Sequence, residues 1–100
     1  MNEHQQILDH FGQKHVCLKM IEECNELCAA LSRMLSSEEN NDPNEHGKAY
    51  ICVLEEFADV LEVSARMRLF LDMESVNNMR IFKRNRTLEK IYDQRKNTQA

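Results

Sequence analysis

Apolar residues recur at spacings of three and four along two long stretches of the chain, the pattern of amphipathic helices. The first stretch runs from Gln13 or Lys14 to about Ser36, and the second from about Lys48 to Leu71. The apolar stripe of the first stretch, about 120° wide, consists of Cys17, Met20, Ile21, Cys24, Leu27, Cys28, Leu31, Met34 and Leu35. On the second stretch apolar positions cover more than half of the circumference, which predicts a helix packed between neighbours.

Weaker patterns flank these two helices. Residues 2–10 predict a short helix interrupted by Gly12, and residues 73–92 predict a last helix with Asp72 as its N-cap. Residues 36–47, SSEENNDPNEHG, predict the one clear loop, and residues 93–100 a frayed polar tail. With 2 Gly and 1 Pro in 100 residues, the chain predicts a single all-α domain over residues 1–100. A chain this short has a modest core, so self-association is a natural way to bury more surface.

Charge is distributed unevenly along the chain. The segment from Arg80 to the C-terminus contains seven basic and two acidic residues, a net charge of +5. Since the total is −4, residues 1–79 carry a net charge of −9. A nonspecific nucleic-acid binder has a dominant basic face, so an acidic body with a basic last helix argues against nucleic acid as a partner. The distribution favours a site where acidic groups bind cations and basic groups meet an anion.

The four cysteines do not form a recognisable zinc motif. Cys24 and Cys28 are four residues apart, but no second pair of Cys or His completes the site. Because three of the four lie at core spacing, buried reduced thiols are expected. No apolar stretch resembles a signal peptide or reaches the ~20 residues of a membrane span, which predicts a cytoplasmic protein without a membrane partner.

Carboxylates recur three residues apart within both long helices, Glu23 with Glu26 and Glu56 with Asp59. Three residues are nearly one helical turn, so the two pairs can face each other when the helices pack. Carboxylate oxygens suit Mg²⁺, Mn²⁺ or Ca²⁺. Mg²⁺ keeps several waters and is often completed by substrate phosphates, so a pocket of acids without His predicts a metal site that handles phosphate.

Other chemistry has less support in the residues. A di-iron bundle needs Glu-x-x-His pairs, and none occurs. No His lies at a motif position beside a Ser or Cys nucleophile, and His15, just before the acidic stretch, either approaches a ligand or serves as a cap. The alternative to a metal site is a noncatalytic helical bundle that acts as an interaction protein, with its acids on a solvated face.

The two acidic segments also resemble a known family. EECNEL at residues 22–27, followed by EEFADVL at residues 55–61, is similar to the paired EExxE and ExxD motifs of the MazG-like nucleotide pyrophosphohydrolases, members of the all-α NTP pyrophosphatase group. The resemblance covers roughly residues 14–86. It implies an antiparallel four-helix bundle with two long central helices, a homodimer or homotetramer, and Mg²⁺-dependent hydrolysis of nucleoside triphosphates to monophosphate and pyrophosphate.

The resemblance also implies roles for individual residues. The metal ligands are Glu23, Glu26, Glu56 and Asp59, with Mn²⁺ as a possible substitute for Mg²⁺; Glu23 and Glu56 are the catalytic candidates, and Glu22 and Glu55 are secondary ones. Asn78, Arg80 and Arg84 on the last helix match the spacing of the family's substrate-binding residues, with Arg80 in place of the usual Lys. Lys83 is a further substrate-binding candidate because it shares one helix face with Arg80 and Arg84. A chain that keeps the fold but has lost hydrolysis is a nucleotide sensor. Trp is absent, so only Tyr50, Tyr92 and the four Phe residues are available to stack on a base, and the segment that recognises the base is unassigned.

Overall fold

The computed structural model describes residues 2–99 and consists of helices joined by short turns. The helices are α1 (Glu3–Phe11), α2 (Gln13–Glu39), α3 (Pro43–Met67) and α4 (Met73–Gln99). No strand occurs among residues 2–99, which confirms the all-α class. Nor does this part of the chain contain a helix long and apolar enough to cross a membrane. The chain forms two compact units, one containing α1 to α3 and ending at Phe70, the other beginning at Leu71 and containing α4. The single domain predicted for residues 1–100 stays a prediction.

Gly12 separates α1 from α2, as predicted. Its φ is +88°, in the left-handed region that a residue without Cβ adopts at little cost. The Gly12 N–H donates to the Leu8 carbonyl at 2.7 Å, which satisfies an acceptor at the end of α1. At the other end of α1, the Asn2 side chain accepts the N–H of Gln5 at 2.7 Å and caps the helix. The chain therefore turns between two helices within one residue.

The long loop predicted for residues 36–47 is wrong. Helix α2 continues to Glu39 and α3 begins at Pro43, so only residues 40–42 lie outside the helices. The predicted bounds of α3, residues 48–71, shift with it to Pro43–Met67. The Ser-, Asn- and Asp-rich composition of the segment belongs to helix ends and a tight turn between them.

Local hydrogen bonding explains why this turn is so short. Asn41 adopts a φ of +54°, a left-handed conformation that Asn tolerates better than most residues. The next residue, Asp42, accepts the N–H groups of Asn44 at 3.0 Å and Glu45 at 3.3 Å. Pro43 occupies the first helical position, where a missing N–H costs nothing. Because of this N-cap and proline, α3 begins at Pro43, several residues before the start near Lys48 that its apolar pattern predicts.

Helices α2 and α3 pack against each other along a narrow strip, hereafter the seam. Seven residues are nearly two helical turns, so residues at this spacing lie on one line, as in a coiled coil. The buried residues of α2 recur at this spacing: Val16, Glu23, Ala30 and Ser37. The seam therefore lies beside the predicted stripe, none of whose nine residues is buried. Two of the seam's four buried positions on α2 are polar.

The two helices run in opposite directions. Near the turn, Ser37 Oγ and His46 Nδ1 lie 3.1 Å apart. At the far end, Val16 and Val63 form an apolar cluster with Leu8 of α1. These three side chains and Ala30 are the buried apolar residues among those described, so the apolar core of the first unit is small.

The expected burial of the cysteines is wrong for three of the four. Cys17, Cys24 and Cys28 are exposed, and Cys52 is half-buried. The three exposed cysteines lie with other apolar residues on one side of the seam, because at about 100° per residue they fall about 100–140° from Glu23. Cys52 is about 40° from Glu56 in the other direction. This exposed apolar face consists of Cys17, Ile21, Cys24, Cys28, Leu31 and Leu35 of α2 with Tyr50, Leu54, Phe57 and Leu61 of α3. Within the first unit, α3 is thus covered along its seam and not on this face.

Helix α4 begins at the predicted cap and extends further than predicted. Asp72 accepts the Ser75 N–H at 3.2 Å and the Ser75 hydroxyl at 2.7 Å. The hydroxyl, followed by the backbone N–H, holds the pKa of the Asp72 carboxyl below its usual range. The frayed tail predicted from residue 93 is wrong up to Gln99, where α4 ends, because its Gln, Arg and Lys residues favour helix. Ala100 lies outside the described residues.

Candidate metal centre

The two acid pairs meet at the middle of the seam. Glu23, Glu26, Glu56 and Asp59 each place a ligand oxygen so that all four oxygens lie within 4.8 Å of one another. We call these residues the acid quartet. Oxygens that share an Mg²⁺ or Ca²⁺ ion lie about 2.0–2.6 Å from it, so ligands on opposite sides of the ion are about 4–5 Å apart. The spacing of the quartet fits one shared ion.

The quartet has an inner pair and an outer pair. Glu23 lies on the seam between Val16 and Ala30 and is 9% exposed, and Glu56 faces it from α3 as a half-buried residue. Glu26 and Asp59 are each three positions further along their helices, a rotation of about 60° from the inner residues, and both are exposed. Because the helices are antiparallel, both rotations lead to the side of the seam opposite the apolar face.

One oxygen of each inner carboxylate lacks a hydrogen-bond partner within the described residues. Oε2 of Glu23 and Oε2 of Glu56 are buried, and neither has a hydrogen-bond partner among the described residues. Burying a carboxylate without a partner is costly, and a bound cation removes that cost. Four hard oxygen donors without His or Cys fit Mg²⁺ or Mn²⁺ better than Zn²⁺. The residues present therefore suit the predicted ion.

Burial and mutual repulsion oppose the charged form of the inner pair. Burial is the main cause that raises the pKa of Glu23 above its ordinary value of 4.5, followed by the charges of Glu26 and Asp59. Burial also raises the pKa of Glu56, followed by hydrogen bonding to Glu26 and by the charges of Glu26 and Asp59. Without a cation these carboxyls favour binding protons, and a cation competes with those protons for the same oxygens.

The stability of the metal-free protein should therefore depend on pH. Because the pKa values of Glu23 and Glu56 are raised by folding, their protonation stabilises the folded state fully below about pH 4.5, and this contribution is lost as pH rises through the raised values. We expect the melting temperature in EDTA to fall as pH rises above about 4.5. The double variant Glu23→Gln/Glu56→Gln is the control, since it keeps every other titrating group. An equal slope in both proteins would contradict the assignment.

The secondary acid candidates lie outside the converging group. Glu22 is exposed and pairs with Lys19, with 3.3 Å between Oε2 and Nζ. Glu55 is also exposed, and neither residue belongs to the quartet. Both carry the same carboxylate as their quartet neighbours Glu23 and Glu56, which makes them matched positions for substitution.

The substrate-binding candidates lie on α4, in the second unit, and all are exposed. Arg80, Lys83 and Arg84 share one face within about 100° of each other. Asn78 is about 120° or more from each of them around the helix axis. The helix therefore presents three cations together and directs Asn78 elsewhere.

Sequence reasoning missed an aromatic pair at the start of α2. The rings of Phe11 and His15 are stacked, with 4.4 Å between their centroids and 18° between their planes. Both line a cavity that also borders Lys19 and Arg66. The four-residue spacing of the two rings was a visible signal, but Gly12 between them predicted a helix break. The turn at Gly12 in fact keeps them together.

No protein-family model, curated protein or solved structure matches this chain. The resemblance to the MazG-like pyrophosphohydrolases rests on the two short motifs at residues 22–27 and 55–61. In the structure these segments lie opposite each other across the seam, and four of their carboxylates converge.

Proposed function

We propose that the acid quartet binds Mg²⁺ and that the protein hydrolyses nucleoside triphosphates to monophosphate and pyrophosphate. The observation that supports this proposal is the convergence of four carboxylate oxygens, together with one buried oxygen on each of Glu23 and Glu56 that has no hydrogen-bond partner among the described residues. Glu23, Glu26, Glu56 and Asp59 hold the ion, with Mn²⁺ as a substitute. Bound Mg²⁺ supplies positive charge for the phosphates and lowers the pKa of a coordinated water.

The residues of the quartet divide the work by position. Glu26 and Asp59 lie at the exposed side, where a triphosphate approaches. Water attacks the α-phosphorus, the bond between that phosphorus and the bridging oxygen to the β-phosphate breaks, and pyrophosphate leaves. Glu23 or Glu56 accepts the proton of the attacking water as the general base.

The basic face of α4 is proposed to hold the pyrophosphate. Guanidinium and ammonium groups bind phosphate oxygens through charge-assisted hydrogen bonds, and Arg80, Lys83 and Arg84 present such groups on one side of the helix. Asn78 is assigned to the substrate by the motif resemblance alone. The uneven charge of the chain, acidic before residue 80 and basic after it, supports the pairing of a cation site with an anion site.

Release of pyrophosphate tests the proposal. We expect pure protein with Mg²⁺ to produce pyrophosphate from at least one member of a panel of ribo- and deoxyribonucleoside triphosphates. Glu56→Gln should lower kcat/KM at least about 100-fold, since loss of an outer-shell partner alone costs about 10–100-fold at metal sites. Glu55→Gln makes the same chemical change at the adjacent exposed position and should retain most of the activity.

The other outcomes identify the alternatives. Pyrophosphate release from no triphosphate, or equal release by Glu56→Gln and the native chain, would exclude the hydrolase. Nucleotide binding without turnover would identify a nucleotide sensor. Neither binding nor stabilisation by Mg²⁺ would identify a noncatalytic interaction bundle whose acids face solvent.

We further propose that the apolar face binds a second copy of the chain. It displays six large hydrophobic side chains with more than half of their surface exposed, whereas only four apolar residues are buried among those described. Exposed contiguous apolar surface on this scale marks an interaction site. Two α2–α3 hairpins joined face to face across a twofold axis form a four-helix bundle. The expected state is a homodimer, or a homotetramer built from it, with the quartets on the outer sides.

A further inference from the structure

A cavity of about 350 Å³ lies between α1, the start of α2 and the end of α3. Its wall is formed by apolar, aromatic and cationic side chains. The lining residues are Ile7, Phe11, His15, Val16, Lys19 and Arg66. All of them belong to the first compact unit. Its volume falls within the range of small-molecule sites, about 300–1,000 Å³, and such sites combine an apolar wall with a few polar groups.

The aromatic wall offers a flat surface to solvent. Phe11 is 53% exposed, although its ring is held on one side by the stacked ring of His15 at 4.4 Å. The edge of the His10 ring meets Phe11 at 4.6 Å and 85°, which fixes the phenyl ring further. A fixed, exposed aromatic ring suits stacking by another flat ring, and every nucleobase has such a face.

The polar wall offers hydrogen-bond donors. Nε of Arg66 is buried and has no partner among the described residues, while its guanidinium lies 4.0 Å from the Glu62 carboxylate. The Lys19 ammonium is already paired with Glu22 at 3.3 Å. Arg has donors and no acceptor. Because Arg66 lines the cavity and its guanidinium is beyond hydrogen-bond distance of Glu62, it can donate to an acceptor oxygen or nitrogen on whatever fills the cavity.

The cavity lies on the same side of the seam as the open side of the acid quartet. Lys19 precedes Glu23 by four residues and Arg66 follows Asp59 by seven, which are axial distances of roughly 6 and 10 Å. At about 100° per residue, Lys19 and His15 are rotated from the seam in the same direction as Glu26. The apolar face is on the opposite side, so a second copy bound there leaves this path open.

We propose that the cavity binds the base of the substrate nucleotide, an inference that rests on the proposed function. The base stacks on Phe11, and Arg66 donates to a carbonyl oxygen of the base. The triphosphate then reaches along the seam to the quartet. Uracil, thymine, cytosine and guanine each have at least one carbonyl oxygen. Adenine has none, and its N1 and N7 acceptors both adjoin the N6 amino donor, which a donor-only guanidinium cannot pair with. The cavity therefore discriminates in favour of carbonyl-bearing bases over adenine.

Kinetics with matched substrates test this discrimination. The native chain should turn over UTP with a higher kcat/KM than ATP, and Phe11→Leu should lower kcat/KM for UTP roughly tenfold, the scale of a lost base stack. Tyr92→Leu removes an exposed aromatic ring of α4 as a control and should have no effect. Affinity for inorganic tripolyphosphate with Mn²⁺ should be the same in all three proteins, because that ligand has no base.

A titration without metal separates this inference from the proposed function. Uridine 5′-monophosphate added to ¹⁵N-labelled protein in EDTA should shift the resonances of Phe11, His15 and Arg66, with smaller shifts for adenosine 5′-monophosphate. Shifts confined to other residues, or unchanged affinity in Phe11→Leu, would overturn the inference even when triphosphates are hydrolysed. Cavity shifts in a protein without turnover would instead leave base binding in place and exclude the hydrolase.

Discussion

Glu23→Gln is expected to raise the melting temperature of the metal-free protein at neutral pH and to abolish its stabilisation by Mn²⁺. Glutamine has the size of glutamate and lacks the charge that burial and the neighbouring acids oppose. In the native chain, an ion that binds only the folded state at 100 times its Kd stabilises by about 2.7 kcal/mol. For a domain of this size that is a rise in melting temperature of about 10 °C or more.

Glu22→Gln provides the matched control for this experiment. It removes the same charge one residue earlier, from an exposed side chain paired with Lys19, and should keep the full response to Mn²⁺. Thermal scans of the three proteins in EDTA and in Mn²⁺ give all the required values. A response that persists in Glu23→Gln would show that the ion binds elsewhere.

Leu61→Glu is expected to dissociate the oligomer into monomers that remain folded. Leu61 is 54% exposed on the apolar face, so the substitution removes few contacts within the chain. In a twofold dimer the same change places a charge from each subunit in the apolar contact. Substitutions at the centre of an interface typically cost about 2 kcal/mol or more, which is a loss of affinity of about 30-fold.

Ala29→Glu introduces the same side chain elsewhere on the hairpin. Ala29 is exposed on α2 and lies about 140° from the seam, on the side of the acid quartet. Sedimentation at several concentrations should show the native chain and Ala29→Glu as oligomers and Leu61→Glu as a monomer. A native chain that is monomeric at tens of micromolar would contradict the proposed use of the apolar face.

The acid quartet could be anticipated because it depends only on helical period. An acid three residues after another returns to nearly the same side of a helix, and the two pairs, Glu23 with Glu26 and Glu56 with Asp59, stand within apolar patterns that mark the packed side. The register of α2 against α3, which brings Glu23 opposite Glu56, could not be predicted from helical period. It depends on the turn at residues 40–42, and the predicted loop of residues 36–47 leaves that register free.

The exposure of Cys24 and Cys28 could not be predicted for a different reason. Apolar residues at spacings of three and four indicate that a helix face is covered, but the pattern is the same whether the cover is the same chain or another copy. On α2, Val16 and Ala30 lie in the seam, beside the predicted stripe, whereas the two cysteines of the stripe are exposed. Only the position of α3 separates the two sets.

The cavity beside Phe11 could not be predicted because the sequence places its two aromatic residues on different helices. A Gly inside a helical pattern ordinarily separates the residues before it from those after it, so Phe11 and His15 belong to different helices. The conformation of Gly12, with φ at +88°, reorients the chain without spreading the two rings apart. Their contact is a tertiary consequence of one backbone conformation, which residue spacing does not contain.

Because the apolar core of the first unit is small, the stability of its folded state should depend on what it binds. Only Leu8, Val16, Ala30 and Val63 are buried apolar residues among those described, while Glu23 occupies a buried position of the seam. The proposed ion and the proposed second copy both bind the folded form alone, so scarcity of either increases the unfolded population. Proteases remove unfolded chains. The amount of protein that persists in a cell should then follow the supply of divalent cation and the protein's own rate of synthesis.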